Sequence, residues 1–198
     1  MRAALTFDTE HPDGPCPPGT LDTILSTLAG AGARGTFFLQ GRWVGSSPEA
    51  AREIVGAGHR IANHSHYHAR MDLLTDEGFR HDVAEAEATI QDVTGADPRP
   101  WFRCPFGSGM DDPRVLGLLT ELGYEHVGWD VDPKDWDVGR EGPDVETAAV
   151  DGVLGRANDS IVLFHGWPGS TADALPRIVE RLAAEQVEFV SVDALPGS

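Results

Sequence analysis

"RAALTFDTE", residues 2–10, is a short apolar run rich in strand-forming residues that ends at Asp8 and Glu10. Because its apolar residues do not alternate with polar ones, it reads as a strand buried on both faces. "EHPDGPCPPG", residues 10–19, follows with four prolines and two glycines and can only be loop. "TLDTILSTLAGAG" (20–32) then shows helical periodicity through Leu21, Ile24, Leu25 and Leu28, with Thr20 as its expected N-cap. The alternation continues to the end of the chain. Strands are expected in 35–41, 59–64, 100–107, 124–132, 160–165 and 187–192, and helices in 47–58, 75–95, 111–123, 144–157 and 174–186. Thr75 is expected to cap the longest helix. Such alternation predicts an α/β fold of parallel strands wrapped by helices, an open sheet or a barrel, with six or seven units rather than eight. Ligands gather at the carboxyl ends of strands in either case, and Asp8, His64, Arg103, Asp132, Asp135 and His165 all stand there.

The chain has 198 residues, enough for one well-buried core and too few for two comfortable domains. A formal charge of −17, from 32 acidic and 15 basic residues, argues against nucleic acid and anionic membrane surfaces as partners. A neutral or cationic small molecule or sugar is the more natural substrate. The N-terminus does not read as a secretory signal and no run is long enough to span a bilayer, so a cytoplasmic location is expected. Cys16 and Cys104 have neither metal-motif nor framework spacing and are expected to be reduced thiols, although both adjoin stretches that carry candidate site residues.

"NHSHYH", residues 63–68, concentrates three of the eight histidines. His64 and His68 stand four apart, the spacing that places two side chains on one face of a helical turn, and neutral imidazoles suit a divalent ion. His66, between them, is expected to point elsewhere. Carboxylates are the usual supplement, and Asp8 and Glu10, two apart on an extended chain, can face one site. Arg103 is a fixed charge that wants a carboxylate, and His165 closes an apolar strand.

In order, "TFD" (6–8), "HSHYH" (64–68), "RCPFG" (103–107), "DPKDW" (132–136) and "LFH" (163–165) resemble the five motifs of the NodB-type polysaccharide deacetylases, carbohydrate esterase family 4. The resemblance spans nearly the whole chain and implies one catalytic domain, residues 1–198, folded as a distorted TIM-like (β/α) barrel of about seven units. It implies metal-dependent hydrolysis of acetyl groups on sugars, with zinc the expected ion and cobalt, nickel, manganese or iron admissible. By position, Asp8 would be the general base, and His64 and His68 metal ligands. Arg103 would orient Asp8, and the Phe106 N–H would help bind the oxyanion. Asp135 would hold His165 protonated beside Trp136, and His165 would protonate the leaving amine. These roles agree with what amide hydrolysis requires: a nucleophile at neutral pH, charge stabilisation on the oxyanion and an acid for the amine.

The first motif departs from the family's TFDDG, placing Thr9 where the second aspartate binds metal. Glu10 is the favoured replacement, Asp13 the next, and a metal-independent site like that of allantoinase-like relatives a third possibility. His11 is expected to turn away from the face of Glu10. Among the five tryptophans, Trp136 and Trp167 are the expected groove residues. An O-acetyl esterase would use the same base, metal and oxyanion donor. A binding protein without chemistry would need no base and acid together with their orienting partners.

Overall fold

The structure is a computed structural model that describes residues 1–11 and 16–195. Among these residues are seven strands: β1 (Arg2–Thr9), β2 (Thr36–Leu39), β3 (Arg60–Asn63), β4 (Trp101–Phe102), β5 (Glu125–His126), β6 (Ser160–His165) and β7 (Glu188–Val190). They alternate with α1 (Thr20–Gly30), α2 (Gly41–Ser46), α3 (Pro48–Gly56), α4 (Asp76–Thr94), α5 (Pro113–Glu121), α6 (Gly142–Leu154) and α7 (Gly169–Ala184). All strand pairs are parallel in the order β5-β4-β3-β2-β1-β6, and β7 lies beside the start of β1. The sheet curls until its ends meet. The chain leaving β5 returns against β6, where Val131 bridges Val162 and the Leu163 N–H donates to the Val131 carbonyl at 2.9 Å. This is the distorted (β/α) barrel.

Strand β1 sits at its centre because every residue from Ala3 to Thr9 is buried. Alternation along the strand sorts its side chains between two cores. Phe7 stacks on Phe37 at 4.8 Å and on Phe164 at 5.7 Å, in the layer shared with Ile24, Leu28 and Ile178 of the helices. The neighbouring positions Thr6 and Asp8 reach Arg103, whose guanidinium lies over Phe38 at 4.0 Å, so these groups face the barrel axis. Thr6 and Asp8 therefore point into the barrel, and Asp8 opens at its carboxyl end.

Several expectations are corrected. Gly19, at φ 82, precedes α1 in the N-cap position, while Thr20 lies inside the helix and donates its hydroxyl to the Pro17 carbonyl at 2.8 Å. The Thr75 side chain does cap α4, accepting the Gly78 N–H at 3.2 Å. β5 covers two residues, not nine, because the Arg103 side chain takes the Val127 and Gly128 carbonyls at 3.1 and 2.9 Å. α7 begins five residues early and carries Pro176 within it, and α2 has too few residues to show a period. Cys16 is exposed and Cys104 buried, each a free thiol. Among the described residues, no helix is long and apolar enough to cross a membrane.

Candidate active site

The carboxyl ends of the strands surround a cavity of about 470 Å³ lined in part by Asp8, Glu10, His64, His68, Phe106 and His165. A larger depression of about 810 Å³, beside Met1 and Asp159 at the strand starts, contains none of the candidate catalytic or metal-binding side chains. The candidate side chains therefore gather at the smaller cavity. Asp8 and His165 sit side by side in it because β1 and β6 pair them in register.

Arg103, fully buried, fixes Asp8. One guanidinium nitrogen donates to Asp8 Oδ1 at 2.8 Å and to Thr6 Oγ1 at 2.9 Å, and the others donate to the Val127 and Gly128 carbonyls. Each polar end of the arginine is satisfied, as a charge at this depth requires. Asp8 Oδ2 stands 3.5 Å from His64 Nε2.

Glu10, His64 and His68 bring three donor atoms within 4.8 Å of one another. The His64 Nδ1 contacts the Arg103 carbonyl at 2.9 Å, which places a proton on Nδ1 and turns Nε2 toward the carboxylates. Glu10 Oε2 lies 3.3 Å from His64 Nε2 and in contact with His68 Nε2, yet it is buried without a hydrogen bond of proper geometry. Burial alone would push the Glu10 carboxyl up; His11, His64 and His68 hold it well below the usual carboxylate range, so it is ionised. An anionic oxygen facing two imidazole nitrogens without proper hydrogen bonds is the environment a divalent cation fits. Asp13 lies outside the described residues.

The histidine pair does not meet on a helix. After β3 the chain turns through left-handed residues, Ser65 at φ 68 and His68 at φ 57, and side chains hold that turn. Asn63 Oδ1 accepts the Ser65 N–H at 2.9 Å, Ser65 Oγ accepts the His68 N–H at 3.0 Å, and the two oxygens of buried Asp82 on α4 accept the His66 and Tyr67 N–H groups, both at 3.0 Å. His66 points away, with Nε2 3.5 Å from Glu85, and a Cβ at Gly41 would collide with its ring. Asp82 gave no sequence signal, being one acid among several on an amphipathic helix.

Across the cavity Asp135 holds His165 twice, accepting its N–H at 2.7 Å and contacting Nδ1 at 2.8 Å, while Thr171 donates to the same carboxylate at 2.6 Å. Burial alone would lower the imidazolium's pKa; the charge and hydrogen bond of Asp135, with Asp8 and Glu10 adding, raise it to about 9. Nε2 faces the cavity, 3.9 Å from Glu10 Oε1. Trp136 lines the cavity, but the ring edge-on to His165 is Trp167, at 6.0 Å. Trp129 also lines the cavity, an addition to the two expected tryptophans. Phe106 stands at its rim with φ 58, 60% exposed, its ring 4.5 Å from that of His68. Asp132 is among the lining residues.

A family profile described as "Polysaccharide deacetylase" matches residues 1–127. The chain belongs to the polysaccharide deacetylase family. The chain is 29% identical to a peptidoglycan-N-acetylglucosamine deacetylase of Bacillus cereus, covering 98% of this chain and 68% of that one. It is 35% identical to a chitooligosaccharide deacetylase of Sinorhizobium fredii, over 81% and 70% of the two chains. The crystal structure of BA3943, a pseudoenzyme of the family from Bacillus anthracis, superposes with a TM-score of 0.85 at 26% identity, over 98% and 64%. A BA3943 mutant with restored activity superposes equally well. The chain thus spans about two thirds of the length of these relatives. In a polysaccharide deacetylase fold shared by active and inactive proteins, the side chains at the strand ends must decide activity.

Those of this deacetylase-family chain include one against expectation. His11, at φ 62, folds back toward the cavity, and its Nε2 lies 3.2 Å from Glu10 Oε1. The expectation that it would turn away assumed an extended backbone, which ends at Thr9.

Proposed function

We infer that the chain is a metal-dependent deacetylase, one catalytic domain over residues 1–198, that hydrolyses the N-acetyl group of an N-acetylated sugar. The observation that carries this reading is the pairing of a carboxylate held by arginine with a histidine held by aspartate, on adjacent strands of one cavity. A binding protein has no need of that division of labour. Glu10, His64 and His68 would hold the ion, zinc first, with cobalt, nickel, manganese or iron suited to the same nitrogen and oxygen donors. A divalent ion there would supply Lewis acidity, polarising the acyl oxygen and lowering the pKa of water.

The chain's own residues would do the rest. Asp8, kept in place by Arg103, accepts the proton of the attacking water. The Phe106 N–H donates to the developing oxyanion. His165 delivers the proton on Nε2 to the departing nitrogen, and Asp135 and Thr171 keep it turned toward the cavity. Trp129, Trp136, Trp167 and Phe106 give the sugar apolar walls, and an acidic chain favours a neutral sugar over an anionic one. The relatives that act on peptidoglycan N-acetylglucosamine and on chitooligosaccharides support an N-acetylglucosamine unit as the substrate. Purified protein is expected to release acetate from N-acetylglucosamine oligomers, to stop when a chelator is added, and to recover with zinc or cobalt. Turnover indifferent to the chelator, or no acetate with any of these ions, would reject the assignment.

A further inference from the structure

The two oxygens of Glu10 have different surroundings. Oε2 faces His64 and His68, while Oε1 faces His11 Nε2 at 3.2 Å. His11 is held for that contact from two sides. Its left-handed backbone turns the side chain back over Glu10, and its ring packs edge-on against Trp167, with centroids 4.9 Å apart. Glutamate has one more rotatable bond than the aspartate of the family motif, so its carboxylate has more freedom to lose on binding an ion. Nε2 of His165 also lies 3.9 Å from Oε1, but the proposed chemistry needs it for the leaving group.

We propose that His11 is a positioning residue for the metal site: it holds the outer oxygen of Glu10 so that the inner oxygen is presented, with His64 and His68, to a divalent cation. This rests on Glu10 being a ligand. It also explains the local sequence, since a longer carboxylate following Thr9 comes with a neighbour that restrains it. Partners of this kind, one step removed from the ion, are worth about 10–100-fold in metal affinity.

Two variants separate the contact from the backbone. Asparagine tolerates a left-handed conformation but is too short to reach Glu10 Oε1, whereas glutamine is long enough to bring an amide N–H there. Zinc affinity of the metal-stripped protein would be measured by competition with a chromophoric chelator, alongside the visible spectrum of the cobalt-loaded protein. His11→Asn is expected to bind zinc about 10–100-fold more weakly with shifted cobalt bands, and His11→Gln to recover most of the affinity. Metal-free melting temperatures should match the parent. His11→Asn with parental affinity and spectrum, while Glu10→Ala loses zinc, would overturn the role of His11 and leave the ligand set standing. Equal losses in both His11 variants would also overturn it. Parental zinc affinity in Glu10→Ala would overturn the ligand set and the inference together.

Discussion

His165→Ala is expected to lower turnover of an N-acetylated sugar by about 10²–10⁴-fold, the usual worth of a positioned general acid. The loss on an O-acetylated sugar should be much smaller. An amine leaves badly unless protonated, whereas an alkoxide needs less help, so the ratio of the two losses reads the role of His165 directly. Equal losses on both substrates would mean that His165 positions substrate and does not deliver a proton. The pH profile carries the same information. The proton on His165 is bound more tightly than in a free histidine, with a pKa raised to about 9, so the competent acid is present below that value and lost above it. Activity should therefore fall on the basic side at or somewhat below pH 9, because a cation held by Glu10 would cancel that carboxylate's share of the shift. The linked stability has the same sign: it is complete below the ordinary histidine pKa of about 6.5 and disappears as pH rises through about 9. A basic limb that persists unchanged in the residual activity of His165→Ala would contradict the assignment.

The second large effect concerns Arg103. Its guanidinium is fully buried with a buried carboxylate and three further acceptors around it, so Arg103→Met leaves buried Asp8 without its cation. Removing one partner of such a pair costs about 3–5 kcal/mol. In a chain of this size that lowers the melting temperature of the metal-free protein by roughly 6–20 °C. Arg103→Lys keeps the charge but not the fork that reaches Thr6, Val127 and Gly128, so it should fall between the two. An unchanged melting temperature in Arg103→Met would show that Asp8 is not an isolated buried anion in that variant.

Much of this was legible before the structure. Strand β1 reads as buried because no polar residue interrupts Ala3–Leu5, and Asp8 declares itself by closing an apolar run. The helices α4 and α5 carry periodicity and punctuation strong enough to read directly. What escaped depends on single residues that leave ordinary backbone conformations. His64 and His68 converge through left-handed Ser65 and His68, not through a helical face, and nothing in "HSHYH" distinguishes the two routes. His11 departs from its expected orientation for the same reason, its backbone being left-handed at φ 62. β5 looked like a full strand because Val127 and Val131 suit one, but Arg103, 24 residues before Val127, claims the carbonyls that a ladder would use. Asp82 is invisible because its partners are backbone N–H groups on a turn that the sequence does not announce.

The central claim is that Glu10, His64 and His68 form one divalent-metal site, and metal content tests it most directly. The parent, Glu10→Ala, Asp13→Ala and His64→Ala would be purified, loaded with zinc, desalted and analysed for bound ion per chain. One ion in the parent and in Asp13→Ala, lost in Glu10→Ala and in His64→Ala, is the predicted result. An ion retained without Glu10, or no ion in the parent after loading, would contradict it.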